Sequence, residues 1–109
     1  MTSLKDREQG FERKFAHDEE MKFKAEARRN RLLGLWAAGK LGITDPDEAK
    51  SYAQQVVFAD FAEKGDEDVL RKVSADLQAK GVSVREGEIR EQMTRLLAEA
   101  KAQLMDETG

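Results

Sequence analysis

The 109-residue sequence contains no cysteine, one proline and one histidine, and aromatic residues make up only 6% of it. Without cysteine there is no disulfide framework and no thiolate metal site, and a single histidine cannot form a His-rich metal cluster. Ala, Leu, Glu, Lys, Arg and Gln dominate, and these are helix formers, whereas β-branched residues are sparse. The composition predicts an all-α domain with one modest core, no metal and no required cofactor.

Long apolar runs are also absent. No segment approaches the roughly 20 apolar residues that cross a bilayer, and the first ten residues, MTSLKDREQG, lack the apolar centre of a secretory signal. We therefore expect a soluble protein that does not span a membrane and stays in the compartment where it is made.

Motifs of catalytic sites are missing as well. The sequence has no Gly-rich phosphate loop, no GxSxG and no HExxH, and His17 has no cysteine with which to form a nucleophilic pair. The spacing of the carboxylates is typical of solvated helix faces. We expect a protein that is not an enzyme.

Apolar periodicity and turn residues predict the first two helices. The first spans residues 11–39 and ends at the glycines of GKLGIT. The second begins after Asp45, because Pro46 suits the first helical position and Glu48 completes a capping box. The predicted buried positions of these two helices are Met21, Ala25, Leu32, Leu33, Trp36, Ala49, Tyr52, Ala53, Val56, Val57 and Phe61.

Two further helices complete the pattern. Asp66, in the turn GDED, is predicted to cap the third, so the turn is interpreted as a helix start and not as a cation site. A capping box of Ser83 and Glu86 opens the fourth. Their predicted buried positions are Val69, Leu70, Val73, Leu77, Ile89, Met93, Leu96, Leu97, Ala100 and Leu104. Short loops favour antiparallel neighbours, so we predict a four-helix bundle over residues 19–109, with a short third helix and a flexible N-terminal arm over residues 1–18.

Charge is also unevenly distributed along the chain. Residues 1–31 hold nine basic and seven acidic side chains, whereas the remainder holds ten basic and fifteen acidic ones. A mildly basic N-terminal region therefore precedes an acidic body.

The arm carries two aromatic residues on one potential helix face. Phe11 and Phe15 lie four residues apart. Two rings cannot hold a helix on a core, but each contributes about 1.5–3 kcal/mol when buried in a partner's groove. We predict that the arm is disordered alone and helical when bound. His17, in FAHDEE, is either a pH-sensitive hinge between arm and bundle or an exposed histidine at a helix start.

A basic run follows at Arg28, Arg29 and Arg31. It could contact phosphates of a nucleotide or nucleic acid, or form a solvated face. The acidic overall composition and the interleaved Glu26 argue against nucleic acid.

Two other side chains are interpreted structurally. Trp36 shares the helical phase of Leu32, which favours core packing over stacking on a purine. Asp60 lies on the phase of Val56, where a carboxylate needs a cationic partner. The candidate partners are Lys64, Arg71 and Lys72.

A collinear series of segments resembles the ATPase inhibitor subunit zeta family of α-proteobacteria. The segments are FERKFAHDEEMKFKAEARRNRLLGLWAAGKLG, YAQQVV, ADF, GDEDVLRK and IREQM. The resemblance extends from Leu4 to Gln103 and implies a four-helix bundle, in agreement with the prediction from periodicity. It also implies binding to the catalytic sector of the F-type ATP synthase and restraint of ATP hydrolysis through the N-terminal segment.

The resemblance assigns candidate residues. The resemblance implies that about Leu4–Glu19 form the inhibitory element. It also implies that this element binds at a catalytic-subunit interface and at the rotor stalk. The candidate partner-binding residues are Leu4, Arg7, Phe11, Arg13, Lys14, Phe15 and His17. The protein is then expected to be cytoplasmic and peripheral to the inner membrane through this partner.

The family is also linked to adenine-nucleotide binding. This makes ADP or ATP a candidate ligand, with Arg28, Arg29 and Arg31 as the candidate phosphate contacts. The alternative function is a nucleotide-sensing or adaptor helical bundle with a different protein partner.

Overall fold

The computed structural model describes residues 19–60 and 66–108, which form four α-helices and no strand. The helices are α1 (Glu19–Lys40), α2 (Pro46–Ala59), α3 (Glu67–Ala79) and α4 (Glu86–Thr108). The predicted all-α, four-helix fold is confirmed for these residues, and α3, with 13 residues, is the shortest helix. The predicted arm over residues 1–18 lies outside the described residues, as do Phe61 and Lys64.

Helix α1 is the centre of the arrangement, because it packs along both α2 and α4 and also contacts α3. The N-terminal part of α1 lies beside the end of α4, where Arg28 pairs with Glu107. Farther along α1, Gly34 meets Ala53 of α2. Leu33 and Ala37, in the second half of α1, belong to the same core cluster as Ile89 and Met93, near the start of α4, so α1 runs antiparallel to α4.

The core has two parts. The larger cluster joins all four helices around fully buried side chains such as Leu33, Val56, Val73 and Ile89. The smaller cluster joins Met21 and Ala25 of α1 to Leu104 of α4. These residues all occupy predicted core positions, so the apolar stripes of the four helices are confirmed. Leu32, Trp36, Ala49, Val57 and Leu97 are only partly buried.

Trp36 packs against the larger cluster with part of its surface exposed. The ammonium of Lys40, one turn later in α1, lies 5.8 Å from the centre of its ring. The predicted core packing of Trp36 is confirmed, with a cation on the solvent side of the ring.

The helix starts confirm one predicted cap and correct two. The carboxylate of Asp45 accepts a hydrogen bond from the backbone N–H of Glu48 at 3.2 Å, with Pro46 at the first helical position. Helix α4 instead begins at Glu86, two residues later than a Ser83 cap requires, so the Ser83 capping box is wrong. The carbonyl of Arg85 accepts the first helical hydrogen bonds.

Asp66 is the second correction. It precedes α3 as predicted, but its side chain makes no capping hydrogen bond. Its carboxylate accepts a hydrogen bond from the guanidinium of Arg29 at 2.7 Å. The carboxylate of Asp66 thus engages a buried cation in place of the backbone N–H groups of α3.

Two helices end in the same way. Gly42 and Gly81 have φ values of 79° and 78°, in the left-handed region that favours glycine. The next residues, Ile43 and Val82, donate their N–H groups to the carbonyls of Ala38 and Leu77 at 2.9 Å. This is the Schellman pattern, and both Ile43 and Val82 pack against the larger cluster.

Asp60 follows the last residue of α2 and is partly buried. Of its predicted partners, Lys72 pairs with Asp76 at 2.8 Å and Arg71 lies 3.7 Å from Asp68.

Candidate partner-binding site

The predicted inhibitory residues, Leu4, Arg7, Phe11, Arg13, Lys14, Phe15 and His17, all lie outside the described residues. The described structure begins at the point where this segment joins the bundle. There, Met21 and Ala25 of α1 are buried against Leu104 of α4. The first turns of α1 are therefore held against α4 by packing.

An open groove of about 520 Å³ lies beside this junction, and we refer to it as the α1/α4 groove. Its floor is apolar and is formed by Met21, Ala27, Val57 and Leu104. Met21 and Leu104 are 7% and 5% exposed, so they form the deepest part. Phe23, on the edge of the groove, is 55% exposed. A concave apolar floor of this size is typical of sites that receive side chains of another molecule.

The rim of the groove is charged and mostly basic, with Lys24, Arg28, Arg31 and Glu107. Arg28 donates two hydrogen bonds to the Glu107 carboxylate, at 2.5 and 2.8 Å, in a bidentate pair. This pairing raises the pKa of Arg28 and lowers the pKa of Glu107. It ties α1 to the end of α4 at the edge of the groove.

The other two basic side chains of the rim, Lys24 and Arg31, are less tightly paired with carboxylates than Arg28 is. Lys24 pairs with Glu20 at 3.1 Å, one turn earlier in the same helix, and both side chains are more than half exposed. Such pairs are worth little, since water and salt screen them. Arg31 is exposed, and no carboxylate among the described residues pairs with it. The rim therefore presents two cations that can accept a new anionic partner.

The three arginines of the basic run do not form one site. Arg28 and Arg31 line the groove, whereas Arg29 is 2% exposed and pairs with Asp66 at 2.7 Å. The solvated-face alternative is therefore wrong for Arg29. The reason is periodicity, because Arg29 falls at the core positions of Ala25 and Leu33, four residues away on either side.

Arg29 also contacts a buried polar neighbour. Its Nε donates a hydrogen bond to Oδ1 of Asn30 at 3.0 Å, and Asn30 is 1% exposed. Among the described residues, the Nδ2 of Asn30 has no hydrogen-bond partner. Two donors of the Arg29 guanidinium are therefore engaged by structural contacts, one with Asn30 and one with Asp66.

The basic side of the groove has a recognisable spacing in the sequence, but the consecutive arginines of the basic run obscured it. Lys24, Arg28 and Arg31 are spaced i, i+4 and i+7, which places them on one helix face. Val57 and Leu104 come from two other helices, and their position at the groove follows only from tertiary packing.

A polar network lies elsewhere, between α2 and α3. The hydroxyl of Tyr52 and the ammonium of Lys72 both donate to the carboxylate of Asp76 at 2.8 Å. Burial, and then the contact with Asp76, raise the pKa of Tyr52. Since every group here has a partner within the network, it holds the two helices together.

Two structural features are absent from the described residues. No helix within residues 19–60 and 66–108 has the length and apolar character to cross a membrane. In the same residues, no three His, Asp or Glu side chains are grouped so as to hold a metal ion.

Comparisons with known proteins give the family. A search of curated proteins finds no match. Among solved structures, one solution NMR structure is 57% identical in sequence, with a TM-score of 0.70, and the match covers 80% of this chain and 98% of that one. Residues 1–103 match the family described as ATPase inhibitor subunit zeta. This match covers the N-terminal segment, the first three helices and most of α4, and the chain therefore belongs to the ATPase inhibitor subunit zeta family.

Proposed function

We propose that this protein is an inhibitory subunit that binds the catalytic sector of an F-type ATP synthase and restrains ATP hydrolysis. The observation that carries the proposal is the family match over residues 1–103, which includes the N-terminal segment together with nearly all of the bundle. On this proposal the protein is regulatory, has no catalytic activity of its own, and reaches the membrane only through the synthase.

The N-terminal segment acts as the inhibitory element. Catalytic subunits must open and close as the rotor turns, so a wedge that binds only one of their states shifts the population toward that state and stops the cycle. Phe11 and Phe15 provide the apolar anchor. Arg7, Arg13 and Lys14 steer the segment toward acidic surfaces.

The bundle gives this wedge a fixed base. Helix α1 begins at Glu19, directly after the segment, and its first turns are held against α4 by Met21, Ala25 and Leu104. The pair of Arg28 and Glu107 adds a second tie between these helices. A base of this kind lets the bundle act as a steric stop outside the cleft that the segment enters.

The test is an ATP hydrolysis assay with the membrane-detached catalytic sector. The full chain is expected to lower the rate in a saturable way, and deletion of residues 1–18 is expected to remove the effect. Circular dichroism and thermal melting of the truncated chain check that its helices remain folded. Full inhibition by the folded truncated chain would contradict the segment mechanism, and no inhibition by the full chain would contradict the function.

A nucleotide-sensing or adaptor role is the second candidate, since Arg28 and Arg31 line one groove with Lys24. Against it, the guanidinium of Arg28 is already paired with Glu107 and that of Arg29 is buried. Addition of ADP to isotope-labelled protein separates the two roles. Amide shifts confined to residues 24–31, together with no effect of the protein on ATP hydrolysis, would favour the nucleotide-sensing bundle.

A further inference from the structure

We propose that the α1/α4 groove is a second docking surface, and that it takes an acidic amphipathic helix of the catalytic sector beside the cleft that receives the N-terminal segment. This inference rests on the proposed inhibitory function and adds a contact to it. It gives the folded bundle a binding role, in addition to its proposed roles as a fixed base for the N-terminal segment and a steric stop outside the cleft.

The chemistry of the groove selects the occupant. Its floor of Met21, Val57 and Leu104 takes apolar side chains, and its rim offers Lys24 and Arg31 to carboxylates. The basic rim contrasts with the remainder of the chain, because the residues after 31 include ten basic and fifteen acidic side chains. A helix with apolar residues on one face and Asp or Glu at the edges of that face satisfies both parts of the groove.

The position of the groove makes the partner reachable. Phe15 precedes Met21 by six residues, which span at most about 20 Å when fully extended. A partner that holds Phe15 therefore has a surface within about 20 Å of the groove floor. Two linked contacts on one partner reinforce each other, because binding of the first raises the effective concentration of the second.

The chain's own N-terminal segment fits the rim less well. Residues 1–18 contain four basic and four acidic side chains and so bring no net negative charge to Lys24 and Arg31. An acidic helix of the partner gains from both cations.

The experiment compares two charge reversals in the full chain. Arg31→Glu changes the rim of the groove, and Arg95→Glu makes the same change at an exposed position of α4 whose side chain contacts Gln92. Both arginines are exposed, so both variants are expected to melt like the parent chain. The inhibition constant for ATP hydrolysis by the detached catalytic sector is measured for each at low and moderate salt.

We expect Arg31→Glu to raise the inhibition constant about tenfold at low salt, and to reduce its dependence on salt, with Arg95→Glu unchanged. Equal inhibition constants for the two variants, with the parent chain inhibiting normally, would overturn the groove contact and leave the inhibitory function standing. If the parent chain does not inhibit, the inhibitory function and this inference fall together.

Cross-linking identifies the occupant directly. The chain has no cysteine, so Lys24→Cys carries a photoreactive maleimide at the rim of the groove, and Gln78→Cys carries it at an exposed position of α3. We expect Lys24→Cys alone to cross-link, in the complex, to a catalytic-sector peptide rich in Asp or Glu. Cross-links to a second copy of this chain, or to its own residues 1–18, would overturn the proposal. ADP-induced shifts that vanish in Arg31→Glu while inhibition is unchanged would also overturn it, in favour of a nucleotide.

Discussion

Arg29 of α1 and Asp66 at the start of α3 form an ion pair of 2.7 Å in which the arginine side chain is 3% exposed and the aspartate side chain 52% exposed. The pair joins elements 37 residues apart in the chain. It ties the beginning of the shortest helix to the centre of the bundle, and it takes the carboxylate that would otherwise cap α3.

Asp66→Asn is expected to destabilise the protein by about 2 kcal/mol, because it leaves the buried guanidinium of Arg29 without its counter-charge. Urea unfolding at neutral pH measures the change. Asp106→Asn, at an exposed position in the last turns of α4, is the matched control and is expected to stay within about 0.5 kcal/mol of the parent chain. Equal midpoints for the two variants would show that Arg29 finds other partners.

Periodicity explains which parts of the fold could be predicted. Apolar residues such as Leu33, Val73 and Ile89 repeat at helical spacing and are fully buried, so the four helices followed from the sequence. Arg29 occupies a core position on the same repeat, but charged side chains are normally exposed, so the pattern did not predict its burial. The partner that makes its burial tolerable, Asp66, comes from a distant turn that local patterns do not reveal.

A local capping pattern predicted the helix cap correctly only where no other group competed for the capping side chain. Asp45 caps α2 as expected, whereas Asp66 is drawn to Arg29. Ser83 lies too early, because the turn after Gly81 extends to Arg85 before α4 begins. The α1/α4 groove was beyond prediction for a related reason, since its floor combines Val57 and Leu104 from separate helices.

Gly34→Ala is expected to destabilise the bundle by about 1–3 kcal/mol. A Cβ at this position would lie 2.5 Å from Cα of Ala53, so α1 and α2 must move apart. The intrinsic helix preference of alanine, about 1 kcal/mol, acts in the opposite direction and is outweighed. Gly39→Ala is the control in the same helix, because a Cβ there meets nothing within 4 Å. Thermal melting should place the first variant below the parent chain and the second at or above it.

The pair of Arg28 and Glu107 makes part of the stability sensitive to acid. The hydrogen bond from Arg28 lowers the pKa of Glu107 below its ordinary 4.5, so this stabilisation is fully present above pH 4.5. It is lost as the pH falls through the lowered pKa of Glu107 in the folded protein. We expect the melting temperatures of Glu107→Gln and the parent chain to differ near neutral pH and to converge in strong acid. Glu91→Gln, which removes a carboxylate at another exposed position of α4, is the control, and its melting temperature at neutral pH is expected to match that of the parent chain.

Carboxyl NMR titration tests the same pair without unfolding the protein. The pKa of Glu107 should lie below its ordinary 4.5, and Arg28→Gln should return it to the ordinary range. A pKa for Glu107 that does not respond to Arg28→Gln would contradict the pairing.

Tyr52 makes the protein sensitive to alkali. Burial, followed by the hydrogen bond to Asp76, raises the pKa of Tyr52 above its ordinary 10.0. The folded protein keeps the phenol neutral, so this stabilisation is present below pH 10 and is lost as the pH rises toward the raised pKa. Tyr52→Phe should cost about 1 kcal/mol at neutral pH, and this difference should shrink above pH 10.

Absorbance reports this titration cleanly, because the chain has one tyrosine. The phenolate signal of Tyr52 should rise only above the range of a free tyrosine, and in step with the loss of helical circular dichroism. Ionisation near pH 10 in a fully folded protein would contradict the burial argument.

The two phenylalanines of the N-terminal segment are expected to supply most of its binding energy. Replacement of both, Phe11→Ala with Phe15→Ala, removes the apolar face that the proposed wedge buries, and should raise the inhibition constant at least a hundredfold. Gln9→Ala is the matched control, because residue 9 lies on the opposite side of a helix from residue 11. The readout is ATP hydrolysis by the detached catalytic sector. Retained inhibition by the double variant would show that the anchor lies elsewhere, and retained melting behaviour in both variants would confirm that the bundle itself is unaffected.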